Sequence, residues 1–151
     1  MIKDIPGYEG IYMVDDMGDV WSYKFGKVRK LRPGLDTSGY LKVNLSKDGI
    51  LKSCLVHRLV TKAFLSDYSE NLQVDHIDKN RINNKLSNLR MLTNQQNQYN
   101  TDAKGYSWHK VAAKWQAYIK KDYKQIHLGL FDKEEDARAA YLAAKALYHN
   151  I

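Results

Sequence analysis

The sequence predicts an α+β protein built from three consecutive small modules: a β module over residues 1–52, a strand–loop–strand–helix module over 53–102, and a three-stranded antiparallel sheet with one helix over 103–151. Three observations carry this. Period-two alternation of apolar and polar residues fills the first third. In the middle, an Asn-rich stretch separates two short apolar runs. In the last third, further alternating runs give way to an Ala- and Leu-rich segment that opens on acidic residues. Modules of about 50 residues can fold without disulfides, so 151 residues accommodate three.

In the first module, Gly10-Ile11-Tyr12-Met13-Val14 and Gly39-Tyr40-Leu41-Lys42-Val43-Asn44-Leu45 read as short antiparallel strands. The stretches Asp15-Asp16-Met17-Gly18-Asp19, Pro33-Gly34 and Lys47-Asp48-Gly49 supply the turns between them. From Ser53 to Phe64, Leu55, Val56, Leu59, Val60, Ala63 and Phe64 follow the spacing of an amphipathic helix. Leu72 to Val74 and Leu89 to Leu92 then form a hairpin around a long irregular loop. Thr93 with Gln96 three residues on fits a capping box that opens a helix. Between Lys104 and Leu130, three strands turn near Val111-Ala112-Ala113 and Lys121-Asp122-Tyr123. Asp132 to Tyr148 is a helix whose acidic start, Asp132, Glu134, Glu135 and Asp136, complements the positive end of its dipole, and Ala137, Ala140, Tyr141 and Ala144 form its packed face.

Composition restricts the function. No apolar run approaches the roughly 18 residues that span a bilayer, so no membrane partner is expected. The N-terminus lacks the basic-then-apolar pattern of a secretory signal, which predicts a cytoplasmic protein. Cys54 is the one cysteine; it cannot form an internal disulfide, and structural thiolate zinc is not expected. The net charge of +7 and a pI near 9.3 favour a polyanionic partner. The charge is clustered: Lys24, Lys27, Arg29, Lys30 and Arg32 crowd one segment, and Lys104, Lys110, Lys114, Lys120, Lys121 and Lys124 another. Two basic patches suggest two contacts with nucleic acid.

Chemistry concentrates at Val74-Asp75-His76-Ile77-Asp78, with Asn88 twelve positions and Asn97 twenty-one positions past His76. With Val56-His57-Arg58-Leu59-Val60 and Asn83-Asn84-Lys85-Leu86-Ser87-Asn88-Leu89, this segment resembles the HNH endonuclease family, whose ββα-metal motif sets two strands, a loop and a helix around one metal ion. The resemblance implies that His76 is the general base, that Asp75 and Asn97 hold the metal, and that Asn88 orders the loop that aims His76. The residue types suit the reaction: an imidazole with a pKa near 6.5 takes a proton from water at neutral pH, and a hard ion prefers oxygen ligands. Asn is a weak ligand for softer transition metals, which favours Mg²⁺ or Mn²⁺. Because neighbours on a regular strand point to opposite faces, the strand must end, twist or bulge at Asp75-His76. Asn83, Asn84, Asn94 and Asn100 read as turn or cap residues. His57 reads as a packing residue, and Arg58 as a phosphate contact. His109, His127 and His149 stand in no ligand spacing.

The flanks carry their own resemblances. Ile5-Pro6-Gly7-Tyr8-Glu9-Gly10-Ile11-Tyr12-Met13-Val14, with Gly18-Asp19-Val20-Trp21-Ser22, is similar to the β module found before HNH domains in phage and intron-encoded homing endonucleases. That similarity implies a DNA-contact role, with Lys24, Lys27, Arg29, Lys30 and Arg32 meeting phosphate. Gly105-Tyr106-Ser107-Trp108, Lys114-Trp115-Gln116-Ala117-Tyr118-Ile119 and Leu128-Gly129-Leu130-Phe131 resemble the APETALA-type DNA-binding domain of plant ethylene-response regulators, which lays a sheet in the major groove. Trp108, Lys110, Lys114, Trp115 and Lys120 are its contact candidates, although Trp115 equally suits packing on the helix. The strands hold few arginines, which argues against bidentate guanine readout. The expected partner is double-stranded DNA, nicked by a monomer or cut on both strands by a homodimer. The rival is a non-catalytic DNA-binding regulator on a retained HNH scaffold.

Overall fold

The computed structural model describes residues Met1 to His149; the last two positions of the expected 103–151 module lie outside them. The chain divides into two compact units, Met1–Leu92 and the part from Thr93 onward. The mixture of small antiparallel sheets and helices is the expected α+β class.

In the first unit, β1 (Ile2–Asp4), β2 (Tyr12–Asp15), β3 (Val20–Ser22) and β4 (Arg29–Lys30) form a four-stranded antiparallel sheet in sequence order. Tyr12, Val14, Val20 and Ser22 turn inward at alternate positions, as the period-two pattern requires. A second sheet joins β5 (Gly34–Leu35), β6 (Leu41–Lys47) and β7 (Ile50–Leu55). The helix α1 runs Val56–Phe64, three residues shorter at its start than the Ser53–Phe64 span its apolar stripe suggests. Ser53, Cys54 and Leu55 instead pair with Asn44, Val43 and Lys42 of β6, where ladder hydrogen bonds outweigh helix propensity. One apolar core unites these parts: Ile5, Val14, Val20, Val43 and Leu45 pack with Val56, Leu59, Val60 and Leu89. The hairpin of β8 (Gln73–His76) and β9 (Leu89–Leu92) completes the unit, with Asp75 opposite Arg90 and His76 opposite Leu89.

The second unit begins with α2 (Asn94–Tyr99). Thr93 caps it with the anticipated box: its hydroxyl accepts the Gln96 N–H at 3.1 Å, and the Gln96 side chain accepts the Thr93 N–H at 2.9 Å. Three antiparallel strands follow, β10 (Tyr106–His109), β11 (Lys114–Lys121) and β12 (Lys124–Phe131). The helix α3 (Glu134–Tyr148) packs Ala137, Tyr141 and Ala144 inward. Asp132 lies before this helix, not within it, and pairs with Lys114 at 3.2 Å. Among the described residues, no helix is long and apolar enough to cross a membrane.

Candidate active site

Strand β8 delivers Asp75 and His76 side by side, and both are buried. Alternation sends them to opposite faces, and β8 ends at His76, in keeping with the expectation that the strand stops here. Asp75 is met across the hairpin by Arg90, whose Nε donates to Oδ2 at 2.8 Å with the Arg90 side chain largely covered. The His76 ring lies 5.2 Å from that of His57 and 5.9 Å from that of Tyr40. Its Nε2 stands 2.8 Å from Asn84 Oδ1. Because an amide oxygen only accepts, a neutral ring meets it with the proton on Nε2, which makes Nδ1 the acceptor nitrogen.

The loop between the strands is tied to itself through Asp78 and Asn88. The Asn88 Nδ2 donates to Asp78 Oδ1 at 2.8 Å and to the Asn83 carbonyl at 2.9 Å, while its Oδ1 accepts the Asp78 N–H at 3.1 Å. Asn83 Nδ2 donates to Asp78 Oδ2 at 2.7 Å and the Asn80 N–H to Oδ1 at 2.8 Å. These donors hold the Asp78 carboxyl below the usual carboxylate range, the Asn83 amide foremost. Arg81 pins the loop outward, donating to the Ser38 carbonyl at 2.6 Å and lying over the Tyr40 ring.

His57 is buried beside this cluster, and its Nδ1 has no hydrogen-bond partner. Burial lowers its pKa from 6.5 to about 4, helped by repulsion from the His76 ring when that ring is protonated and from Arg58, and opposed by Asp36. Arg58 points to Glu70, 3.9 Å away.

Asp75 offers a carboxylate oxygen, a hard donor, and among the described residues no group of three or more His, Cys, Asp or Glu side chains gathers to hold a metal ion. Asn97 lies on α2 in the second unit, where its backbone N–H donates to the Thr93 carbonyl at 2.9 Å.

The remaining expected contact residues sort by exposure. Lys27, Arg29, Lys30 and Arg32 are exposed. Lys30 is paired with Asp19 at 2.6 Å. Lys24 is engaged inward, donating to Ser46 Oγ and lying 5.3 Å from the Tyr12 ring centre. In the second unit, Trp108 stands opposite Trp115, and both share the strand face of Ala117 and Ile119, the residues buried against α3. Their rings meet edge to face at 5.2 Å. Alternation sets Lys114, Gln116, Tyr118 and Lys120 on the other face, where Lys120 is exposed and the other three are half-buried; the sequence reading singled out neither Gln116 nor Tyr118. Lys110 is exposed in the turn between β10 and β11. Also missed were Asn84 and Arg90, the direct partners of His76 and Asp75. Arg90 was accessible in principle, since a hairpin register pairing His76 with Leu89 sets Arg90 opposite Asp75.

Comparison with known proteins converges on this hairpin. Residues 54–99 match the family described as HNH endonuclease, and residues 3–46 match the NUMOD4 motif. The chain is 44% identical over 103 residues to the DNA endonuclease I-HmuI of Bacillus phage SP01, covering 68% of this chain and 58% of that protein. It is 35% identical over 101 residues to the H-N-H endonuclease F-TflII of Escherichia phage T5, covering 66% of this chain and 51% of that protein. The solved structure titled DNA binding and cleavage by the HNH homing endonuclease I-HmuI is similar at a TM-score of 0.63 and 36% identity, over 84% of this chain and 76% of that one. The chain therefore spans little more than half the length of these curated relatives.

Proposed function

We propose, from the premise that this chain belongs to the HNH endonuclease family, that it hydrolyses phosphodiester bonds in double-stranded DNA. The observation that carries the reading is the buried His76 ring at the end of β8, with Nε2 engaged by Asn84. His76 takes the proton from the attacking water through Nδ1. Asn88 acts as the loop's organiser, and its three bonds set where β8 ends and therefore where His76 points.

HNH nucleases depend on divalent metal, and Mg²⁺ or Mn²⁺ fits the oxygen chemistry here, with Asp75 and, by family position, Asn97 as protein ligands. When bound, such an ion supplies Lewis-acid stabilisation of the charge that builds on the phosphorane-like transition state and the leaving oxygen.

Residues 1–52, 53–102 and 103–151 serve as a DNA-contact module, a nuclease and an APETALA-like DNA reader. The three-stranded sheet backed by α3 supports the last reading. Lys27, Arg29, Lys30 and Arg32 contact phosphate from the first module and Arg58 from the second. Lys110, Lys114 and Lys120 do so from the third. Trp108, which is 47% exposed, and Trp115, opposite it on the neighbouring strand, are the aromatic contact candidates of the third module. With one His76 per chain, a monomer nicks a single strand. Phage-encoded relatives support action in the cytoplasm of a bacterial host.

The test is incubation of a supercoiled DNA library with Mg²⁺ or Mn²⁺. Nicking that disappears with EDTA and in His76→Ala is the expected result. Cutting that persists in His76→Ala overturns the mechanism, and salt-sensitive binding with no cleavage of any library member transfers the chain to the regulator reading.

A further inference from the structure

The turn between β2 and β3 reaches the catalytic hairpin. Gly18, at φ +90°, lies so close to Asn84 that a Cβ there would sit 2.9 Å from both Asn84 Cβ and the Asn84 carbonyl oxygen. Two residues along each segment, the Asp16 carbonyl accepts the Leu86 N–H at 2.9 Å. The turn making these contacts is itself braced: Asp15 Oδ1 accepts the N–H groups of Met17 and Asp19 at 3.0 and 2.9 Å, and Oδ2 accepts Trp21 Nε1 at 3.0 Å. The amino terminus of Met1 pairs with Asp16 at 2.6 Å.

Asn84 is 3% exposed, and its Nδ2 is buried with no partner. A buried unpaired amide costs about 1–3 kcal/mol, so the side chain is not explained by its contribution to stability. Its Oδ1 accepts from His76 Nε2 at 2.8 Å. We propose that the Asp15–Asp19 turn of the N-terminal sheet is part of the catalytic apparatus: Gly18 and Asp16 hold the Asn84–Leu86 segment, and Asn84 is a positioning residue that fixes the orientation and tautomer of His76. The N-terminal module then contributes to the rate of cleavage as well as to DNA affinity. A misplacement of about 1 Å at a reacting group lowers rates about 100-fold, and a side chain on Gly18 forces a shift of about 0.5 Å or more, because the atoms it meets at 2.9 Å are backbone and Cβ, which cannot swing aside.

This inference rests on His76 being the general base, and its test separates the two. Gly7 has φ +89°, and a Cβ there would meet nothing within 4 Å, so Gly7→Ala carries the same backbone strain as Gly18→Ala without the contact. Single-turnover cleavage, DNA affinity and the ¹⁵N imidazole spectrum of His76 in the metal-free protein are measured for Gly7→Ala, Gly18→Ala, Asn84→Ala and Asn84→Asp. Gly18→Ala and Asn84→Ala are expected to cut about 10- to 100-fold more slowly than Gly7→Ala, with Kd changed less than about 3-fold. In both, His76 is expected to lose its preference for the Nε2–H tautomer, which Asn84→Asp, retaining an acceptor, keeps. Should Gly18→Ala fail to fold, Asn84→Ala, which adds no atoms, carries the test. An unchanged tautomer in Asn84→Ala, or equal cleavage rates for Gly7→Ala and Gly18→Ala, overturns the proposal. Undiminished cutting by His76→Ala removes the general-base reading instead, whatever the spectra show.

Discussion

Acid should weaken the first unit through His57. The ring is 5% exposed, and it faces His76, Tyr40, Arg58 and, at longer range, Asp36. Burial first, and the neighbouring positive charge second, lower its pKa from 6.5 to about 4. Above pH 6.5 both folded and unfolded chains hold it neutral, and its burial carries no protonation penalty. Between pH 6.5 and about 4 the unfolded chain binds the proton and the folded chain does not, so stability falls with pH across that window and no further below it. A tenfold change in proton affinity is about 1.4 kcal/mol, which makes the full loss about 3 kcal/mol. The ring's chemical shift, followed by NMR, should titrate near pH 4. Urea unfolding of the wild type and of His57→Phe at pH 7 and 4.5 should then show the wild type losing about 2 kcal/mol more than the variant, because the titrations of other groups cancel in the comparison. A His57 midpoint at 6 or above, or equal losses in the two proteins, would refute the reasoning.

Other expectations follow from particular contacts. Leu45→Ala, at a side chain with no exposure, should cost about 2–5 kcal/mol in urea unfolding. Asn88→Ala removes three bonds that close the loop and should slow cleavage about 100-fold while leaving DNA affinity nearly unchanged, as read by single-turnover kinetics. Arg29→Gln, at an exposed residue, should reduce the slope of log affinity against log salt by about 1. Lys24→Gln should reduce it much less, because Lys24 is committed to Ser46 and Tyr12. Equal slopes for the two variants would mean that Lys24 swings out to meet DNA.

The second unit was legible because its signals are local: alternation wrote β11 and β12, and the acidic start and Ala-rich face wrote α3. Local signals failed where one residue served two patterns. Leu55 continues the apolar stripe of α1, yet it closes β7, because pairing with Lys42 of β6 is a long-range interaction that periodicity does not register. In the candidate active site, the Asp75-His76 pair and Asn88 stood out because their order and spacing resemble the HNH pattern. Asn84 did not, since an Asn in a turn has the same local appearance whether its amide faces water or a buried imidazole. Gly18 is 66 positions from Asn84, and its contact exists only once two sheets and a hairpin have packed around one core.

The ion pair of Asp75 and Arg90 links the metal reading to a stability measurement independent of catalysis. Asp75 is 8% exposed, and a carboxylate so buried needs a cationic partner. Arg90 provides one through Nε at 2.8 Å, and the same carboxylate is the proposed ligand of a divalent ion. Truncating a buried pair on one side costs about 3 kcal/mol, mostly from the charge left behind. Arg90→Met should therefore lower Tm in EDTA. A bound dication compensates the remaining charge, so adding Mn²⁺ should raise the Tm of Arg90→Met by several degrees more than that of the wild type, since a ligand stabilises in proportion to its preference for the folded state. Asp75→Asn removes the charge that both cations share, and in that background Mn²⁺ should shift Tm little. If Mn²⁺ stabilises Asp75→Asn as strongly as the wild type, the ion binds elsewhere and Asp75 serves only to anchor Arg90 across the hairpin.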